Sequence, residues 1–308
     1  MTGAYDPFVR GRFVVDARTI EAHDRARDRH FPCDIWSPAE PGSHPLIIFS
    51  HPSGNNRRSA TFLCTHLASH GYVVAALDHS EVIAAELARK NGETLEQKHA
   101  RWNAVIACRV PDIRFLLDHL LNSDSSIDQT KIGIVGHSFG GWTALATPEV
   151  ERRIRAVVAL APGGASNPKP GILPATLSFA WGRDVPTLYL VAENDNSLPL
   201  TGMHELFERT PATKRMVILR RADHMHFMDN VEEVHEAVRK MPYPGTEKML
   251  PISELCSGEH ANLFVQGLTL AHMDATLKRR NEAQRFLAAD LEAELAQRGV
   301  EVIVHVTR

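Results

Sequence analysis

Residues 131–145 read KIGIVGHSFGGWTAL, and the parsing of that stretch decides the fold. KIGIV (131–135) is a short, β-branched apolar run of the kind that fills a buried strand. Gly136-His137-Ser138-Phe139-Gly140-Gly141 comes next, and the residues from Trp142 onward suit a helix. This is G-x-S-x-G set between a strand and a helix. A serine at the tip of so tight a turn needs small neighbours. Gly136 and Gly140 remove the Cβ atoms that would collide where strand and helix approach. The helix N-terminus then aims free N–H groups at an oxyanion forming beside the serine. Ser138 is therefore the candidate nucleophile.

Working outward, the same kind of run recurs at 46–50 (LIIFS), 72–77 (YVVAAL), 154–160 (IRAVVAL), 187–192 (TLYLVA) and 215–219 (RMVIL). These runs are continuously hydrophobic rather than alternating, which marks central strands covered on both faces. Residues 11–16 and 29–36 look like an antiparallel start. Helical patterns lie at 59–70 (stopped by Gly71), at 112–121 after Pro111, at 140–147, and in a long C-terminal part at 262–277 and 282–298. Strand–helix alternation predicts an α/β fold, a doubly wound and mostly parallel sheet with helices on both faces. No linker divides the chain, so residues 1–308 read as a single domain. Two stretches break the alternation: polar residues 81–103, and residues 231–259 with PYPG and a further proline at 251. Both are candidate lids over a site beyond the strands' carboxyl ends.

Composition narrows the function classes. The 34 Lys+Arg against 37 Asp+Glu give a net charge of -3, with no basic excess to neutralise a phosphate backbone, so nucleic acid is not an expected partner. No apolar run reaches about 18 residues, so no membrane span is expected. The start, MTGAYDPFVRGRFVV, lacks the apolar core of a signal peptide, and the chain reads as cytoplasmic. Cys33, Cys64, Cys108 and Cys256 are scattered without metal-ligand spacing and read as reduced thiols. No metal or organic cofactor is implied, and nothing marks an oligomeric state.

A serine nucleophile needs a base and a group to orient it, in the chain order Ser, Asp/Glu, His for this strand–turn–helix arrangement. Asp195 follows the run TLYLVA in Glu193-Asn194-Asp195 and is best placed, with Glu193 the runner-up. After RMVIL comes Ala222-Asp223-His224-Met225-His226-Phe227. His224 is the expected base, with Phe227 packing beneath it and His226 at the pocket rim or in solvent. The oxyanion needs two backbone N–H donors. Phe139, directly after the nucleophile, supplies one. The loop Ser50-His51-Pro52-Ser53-Gly54 supplies the other; Pro52 has no N–H, which leaves Ser53.

On these motifs the chain resembles the α/β-hydrolase superfamily, in the branch of dienelactone-hydrolase-like, platelet-activating-factor-acetylhydrolase-like and cutinase-like serine esterases. The resemblance runs from about residue 5 to about 290. It rests on IIFSHPSGNNR, LASHGYVVAALDH, the PDI after it, IDQTKIGIVGHSFGGWTAL, VPTLYLVAEND and ADHMHF. Such relatives commonly read His-Gly-x-Gly where this chain has Pro52. The position used for the acid in platelet-activating-factor acetylhydrolases falls in Leu160-Ala161-Pro162, which holds no carboxylate, so the acid is expected at Asp195. Dienelactone hydrolases proper use cysteine where this chain has Ser138. The resemblance implies a carboxylic ester hydrolase with a small-molecule ester substrate. Thioester, lactone, amide or acyl-transfer chemistry on the same three residues is the alternative, and a non-catalytic binding protein on the same scaffold is the remote one.

Overall fold

The computed structural model describes residues 5–242 and 245–306, so Tyr243 and Pro244 of the PYPG stretch lie outside it. Its strands are β1 (Val15–Asp24), β2 (Arg29–Pro38), β3 (His44–Ser50), β4 (Val73–Leu77), β5 (Ile127–His137), β6 (Ile154–Leu160), β7 (Thr187–Ala192), β8 (Lys214–Leu219) and β9 (Val302–Val306). Its helices are α1 (Thr61–Ser69), α2 (Ser80–Ile83), α3 (Leu95–Ser123), α4 (Phe139–Val150), α5 (Leu200–Arg209), α6 (Val231–Arg239), α7 (Gly258–Thr276), α8 (Asn281–Ala288) and α9 (Leu291–Ala296). The strands form one sheet in the order β1-β2-β4-β3-β5-β6-β7-β8-β9. It is parallel from β4 to β8 and antiparallel at both edges.

Every residue of β3, β4 and β7 is buried. Alternate side chains of one strand serve opposite cores, as the pleat requires. Leu46 and Ile48 belong to one core, with Leu116 of α3, Leu145 of α4 and Leu206 of α5. Ile47 and Phe49 belong to the opposite core, with Leu63 of α1, Phe264 of α7 and Leu295 of α9. This two-faced burial is why those runs carry no polar alternation.

The structure departs from the sequence reading at several places, α5 and α6 among them, which none of the expected helical patterns covers. The helix expected to start after Pro111 begins instead at Leu95, behind a Thr94–Gln97 capping box, and runs through the proline. Pro111 forfeits one backbone bond, but Val105, Arg109, Asp112, Ile113, Leu116, Leu117 and Leu120 keep one buried face across it, and that packing prevails. The C-terminal stretch 282–298 is two helices, because Asp290 leaves the helix and caps α9 through the Ala293 N–H. The first strand starts at Val15, later than the 11–16 segment suggested. β9 was not foreseen: it is a short edge strand carrying exposed Ile303 and Val306, a weak signal next to a helical pattern. All four cysteines are free thiols.

Candidate active site

The turn between β5 and α4 is as tight as its glycines imply. Ser138 sits at φ 58 and ψ −117, a conformation costing about 1–3 kcal/mol. A Cβ on Gly136 would lie 2.0 Å from the Gly140 carbonyl oxygen, and one on Gly140 would lie 1.9 Å from that of Ser50. Any side chain there would push β3, β5 and α4 apart. The strained residue is held from β6 and the loop after it: its N–H donates to the Leu160 carbonyl at 2.9 Å, and its carbonyl accepts from the Gly163 N–H at 2.9 Å.

Ser138 opens into a cavity of about 630 Å³ that Phe139, Ser53 and His224 also line. Segment 81–103 contributes Glu81, Leu87, Arg89, Arg101 and Trp102 to the wall. No described residue of 231–259 lines it; α6 packs instead beneath the turn that carries His224. That turn is a single 3-10 turn, His224–Phe227, capped by the Asp223 side chain on the Met225 N–H.

Asp195 divides its two oxygens. Oδ1 accepts from the backbone of Ser197 at 2.8 Å and Leu198 at 2.7 Å, which pins the loop after β7. Oδ2 is left for His224 Nδ1, at 2.6 Å. Burial lowers the His224 pKa, but the charge and hydrogen bond of Asp195 outweigh it, and the ring stands above the ordinary imidazole value. Behind it lies His137, buried, with 4.7 Å between the ring centroids. Burial, then repulsion from His224, drives His137 well below the ordinary value, so it is a neutral packing ring. Phe227 packs on His137 at 5.4 Å and so supports His224 indirectly.

The runners-up point elsewhere. Glu193 accepts the Arg221 N–H at 3.0 Å and faces Arg220. His226 is neither at a rim nor in solvent: it is fully buried, with Nε2 on the Cys256 carbonyl at 3.1 Å. The 3-10 turn rotates successive side chains by a third of a turn, so residues two apart diverge.

The oxyanion side holds what sequence reasoning missed. Phe139 is the first residue of α4, so its N–H has no intrahelical partner. Ser53 N–H makes no hydrogen bond among the described residues. In a planar peptide the N–H points opposite to the preceding C=O, so whatever fixes the Pro52 carbonyl aims the Ser53 N–H. Three donors fix it: His51 Nδ1 at 2.7 Å, the Asn55 N–H at 3.3 Å and Arg109 Nη2 at 3.5 Å. Arg109 comes from α3 and is 0% exposed. It also donates to the His51 carbonyl at 2.7 Å, pairs with Glu81, and lies 4.4 Å from the Phe139 ring centroid. One buried guanidinium therefore touches both candidate donor segments. His51 is neutral: burial, then Arg109 and His79, push it well below the ordinary value. No motif around residue 109 announces this; the hint is an arginine on the apolar face of a helix.

Residues 4–185 match the family described as Chlorophyllase. A platelet-activating factor acetylhydrolase of Cavia porcellus is 28% identical over 236 residues, 63% of this chain and 50% of that protein. A cutinase of Thermobifida alba is 26% identical over 205 residues, 64% of this chain and 58% of that protein. The chain thus spans half to three-fifths of the length of these curated relatives. A ferulic acid esterase from Streptomyces cinnamoneus superposes with a TM-score of 0.69 at 23% identity, covering 96% of this chain and 97% of that one. The α/β-hydrolase architecture extends across the chain, and the chain belongs to the Chlorophyllase family.

Proposed function

We propose that the protein is a serine hydrolase of carboxylic esters. The observation that carries this reading is a 2.6 Å carboxylate–imidazole bond between Asp195 and His224, on a histidine that lines one cavity with the elbow serine Ser138. His224 takes the proton from Ser138 Oγ as that oxygen attacks the ester carbonyl. The developing oxyanion is met by the N–H groups of Phe139 and Ser53. The alcohol leaves with the proton from His224. Water, activated by the same ring, then releases the acid. Asp195 holds the imidazole in the Nδ1–H tautomer and stabilises the imidazolium.

The names of the relatives, acetylhydrolase and cutinase, support ester cleavage as the reaction class. The cavity is of small-molecule size. Leu87, Trp102, Val105 and Leu198 give it an apolar wall, which suits an apolar acyl or alcohol part. No helix among the described residues is long and apolar enough to cross a membrane.

The test is turnover of p-nitrophenyl esters of rising chain length, beside a thioester, a lactone and a peptide anilide, with Ser138→Ala as control. Esters turned over fastest, and only with Ser138 present, are the expected result. Preference for one of the other substrates would reassign the reaction, and ester turnover retained by Ser138→Ala would remove the reading.

A further inference from the structure

The turn that carries His224 is built on a second group of titratable side chains, pointing away from the cavity. Asp223, His226 and His235 are 4%, 0% and 0% exposed. The first two belong to the turn and the third to α6. Each imidazole is oriented through Nε2, His226 on the Cys256 carbonyl at 3.1 Å and His235 on the Leu250 carbonyl at 2.9 Å. A carbonyl only accepts, so each Nε2 carries a proton, and in the neutral ring Nδ1 holds the lone pair. Both Nδ1 atoms converge on Asp223, His226 at 2.9 Å from Oδ1 and His235 at 2.7 Å from Oδ2. All three ligand atoms lie within 4.8 Å of one another. His226 Nδ1 also accepts the Asp223 N–H at 3.0 Å, whereas the His235 lone pair faces Oδ2 with no donor between them among the described residues, an arrangement that repels unless a positive charge sits there.

The geometry says what kind of charge fits. His235 Nδ1 and Asp223 Oδ2 are sealed from solvent, and among the described residues neither has a hydrogen-bond partner of acceptable geometry despite their 2.7 Å separation. A shared proton puts the oxygen on the ring N–H axis. Two atoms bound to one ion sit off each other's axis, because the ion occupies it. The nearby backbone donors serve the other half of the cluster: the Met225 N–H bonds Oδ1 at 3.0 Å, and the Asp223 N–H lies 3.0 Å from His226 Nδ1. Neither reaches Oδ2 or His235.

We propose that Asp223, His226 and His235 form a buried site for one divalent cation of the zinc class, which staples the turn carrying His224 to α6. Two imidazoles and one carboxylate are the donors such an ion takes, with water in the fourth position; calcium and magnesium require more oxygen ligands. The separations of 2.7 and 2.9 Å open by about half an ångström to span a tetrahedral ion with bonds of ~2.0–2.1 Å, as the His226 ring swings off the Asp223 N–H. The two Nε2–H bonds to carbonyls are the outer partners that ligating histidines keep. No residue spacing marks this site, because the third ligand is on a separate helix.

The experiment strips the full-length protein with chelator and titrates it with Co²⁺ and then Zn²⁺, following visible absorption, calorimetry and melting temperature. The exposed group His23, Asp28 and His30 is a second place where a cation could collect, so the titration is run in a His30→Ala background. The expected result is one equivalent bound at micromolar affinity or better, a tetrahedral Co²⁺ spectrum, and a melting temperature that rises with Zn²⁺. His235→Ala and His226→Ala weaken binding by about 100-fold or more. Failure of the stripped His30→Ala protein to bind either ion overturns the proposal without reference to any variant's folding. Binding retained in a folded His235→Ala variant does the same. None of these readouts depends on ester cleavage.

Discussion

The loop after β3 and the turn after β8 face the same cavity but are held in different ways. The β3 loop, with Ser53, is braced from behind by a fully buried charge. Arg109 grips the His51 and Pro52 carbonyls and rests on the Phe139 ring. The β8 turn, with His224, is braced by its own cap and by contacts from α6, and reaches the site through a direct bond to Asp195. In the proposed reaction one side sets the direction of N–H dipoles and moves no proton, and the other moves the proton. Damage to the first should therefore lower transition-state stabilisation in steps, whereas damage to the second should stop the reaction.

The largest effect belongs to the proton-moving side. His224→Ala is expected to reduce kcat by roughly 10⁴-fold or more, as for any member of a set that acts as a unit. Asp195→Asn should cost roughly 10²-fold or more, because Asn can hold the wrong tautomer, while Glu193→Gln stays within a few-fold. Comparable losses at 193 and 195 would break the assignment of the acid.

Next comes the oxyanion side. Arg109→Gln should lower kcat by about 10- to 100-fold, less than outright loss of an oxyanion donor, with KM nearly unchanged and the fold intact by circular dichroism. Arg109→Lys should recover only part, since an ammonium cannot span both carbonyls and Glu81 at once. A rise in KM at constant kcat would make Arg109 a wall residue and not a positioning one.

The pH profile sharpens the contrast. As the proposed base His224 works only when neutral, and Asp195 raises its pKa. Activity should fall as pH drops through a value above the ordinary imidazole range, tenfold per unit below it. In Asp195→Asn the midpoint should move to lower pH, because the raising charge is gone. In Arg109→Gln it should stay close to wild type. A midpoint that shifts with Arg109 and not with Asp195 would contradict the division of roles.

A much smaller effect on turnover than at His224 is expected at His226. Its ring contacts Cys256 and Asp223 and does not line the cavity. His226→Ala should cost about 1–3 kcal/mol of stability through unpaired buried groups, with kcat within about tenfold in the fraction that folds. A kcat loss as large as that of His224→Ala would exchange the two histidines.

How much of this was legible in the sequence depends on how local the cause is. The elbow is local: Gly136 and Gly140 are demanded by contacts within a few residues and across to Ser50, so the motif could be read directly. The central strands were legible because burial on both faces erases polar alternation. Asp195 and His224 were legible by order, since each follows a run that forms a strand. Arg109 was not, because its meaning lies in the Pro52 carbonyl, which no spacing rule connects to α3. The start of α3 was hidden for a related reason: Pro111 is a local stop signal that tertiary packing overrides. His226 was misplaced because residues two apart in a 3-10 turn point in different directions, whereas the sequence reading treated them as similar.

The central claim is that Ser138 is the nucleophile, with both braced loops serving it. The most direct measurement is labelling with a fluorophosphonate, followed by peptide mass spectrometry and done in parallel on Ser138→Ala of matched circular dichroism. The account predicts one adduct per chain, on the peptide holding Gly136-His137-Ser138-Phe139-Gly140, and none in the variant. An adduct on another residue, or undiminished labelling of Ser138→Ala, would contradict it.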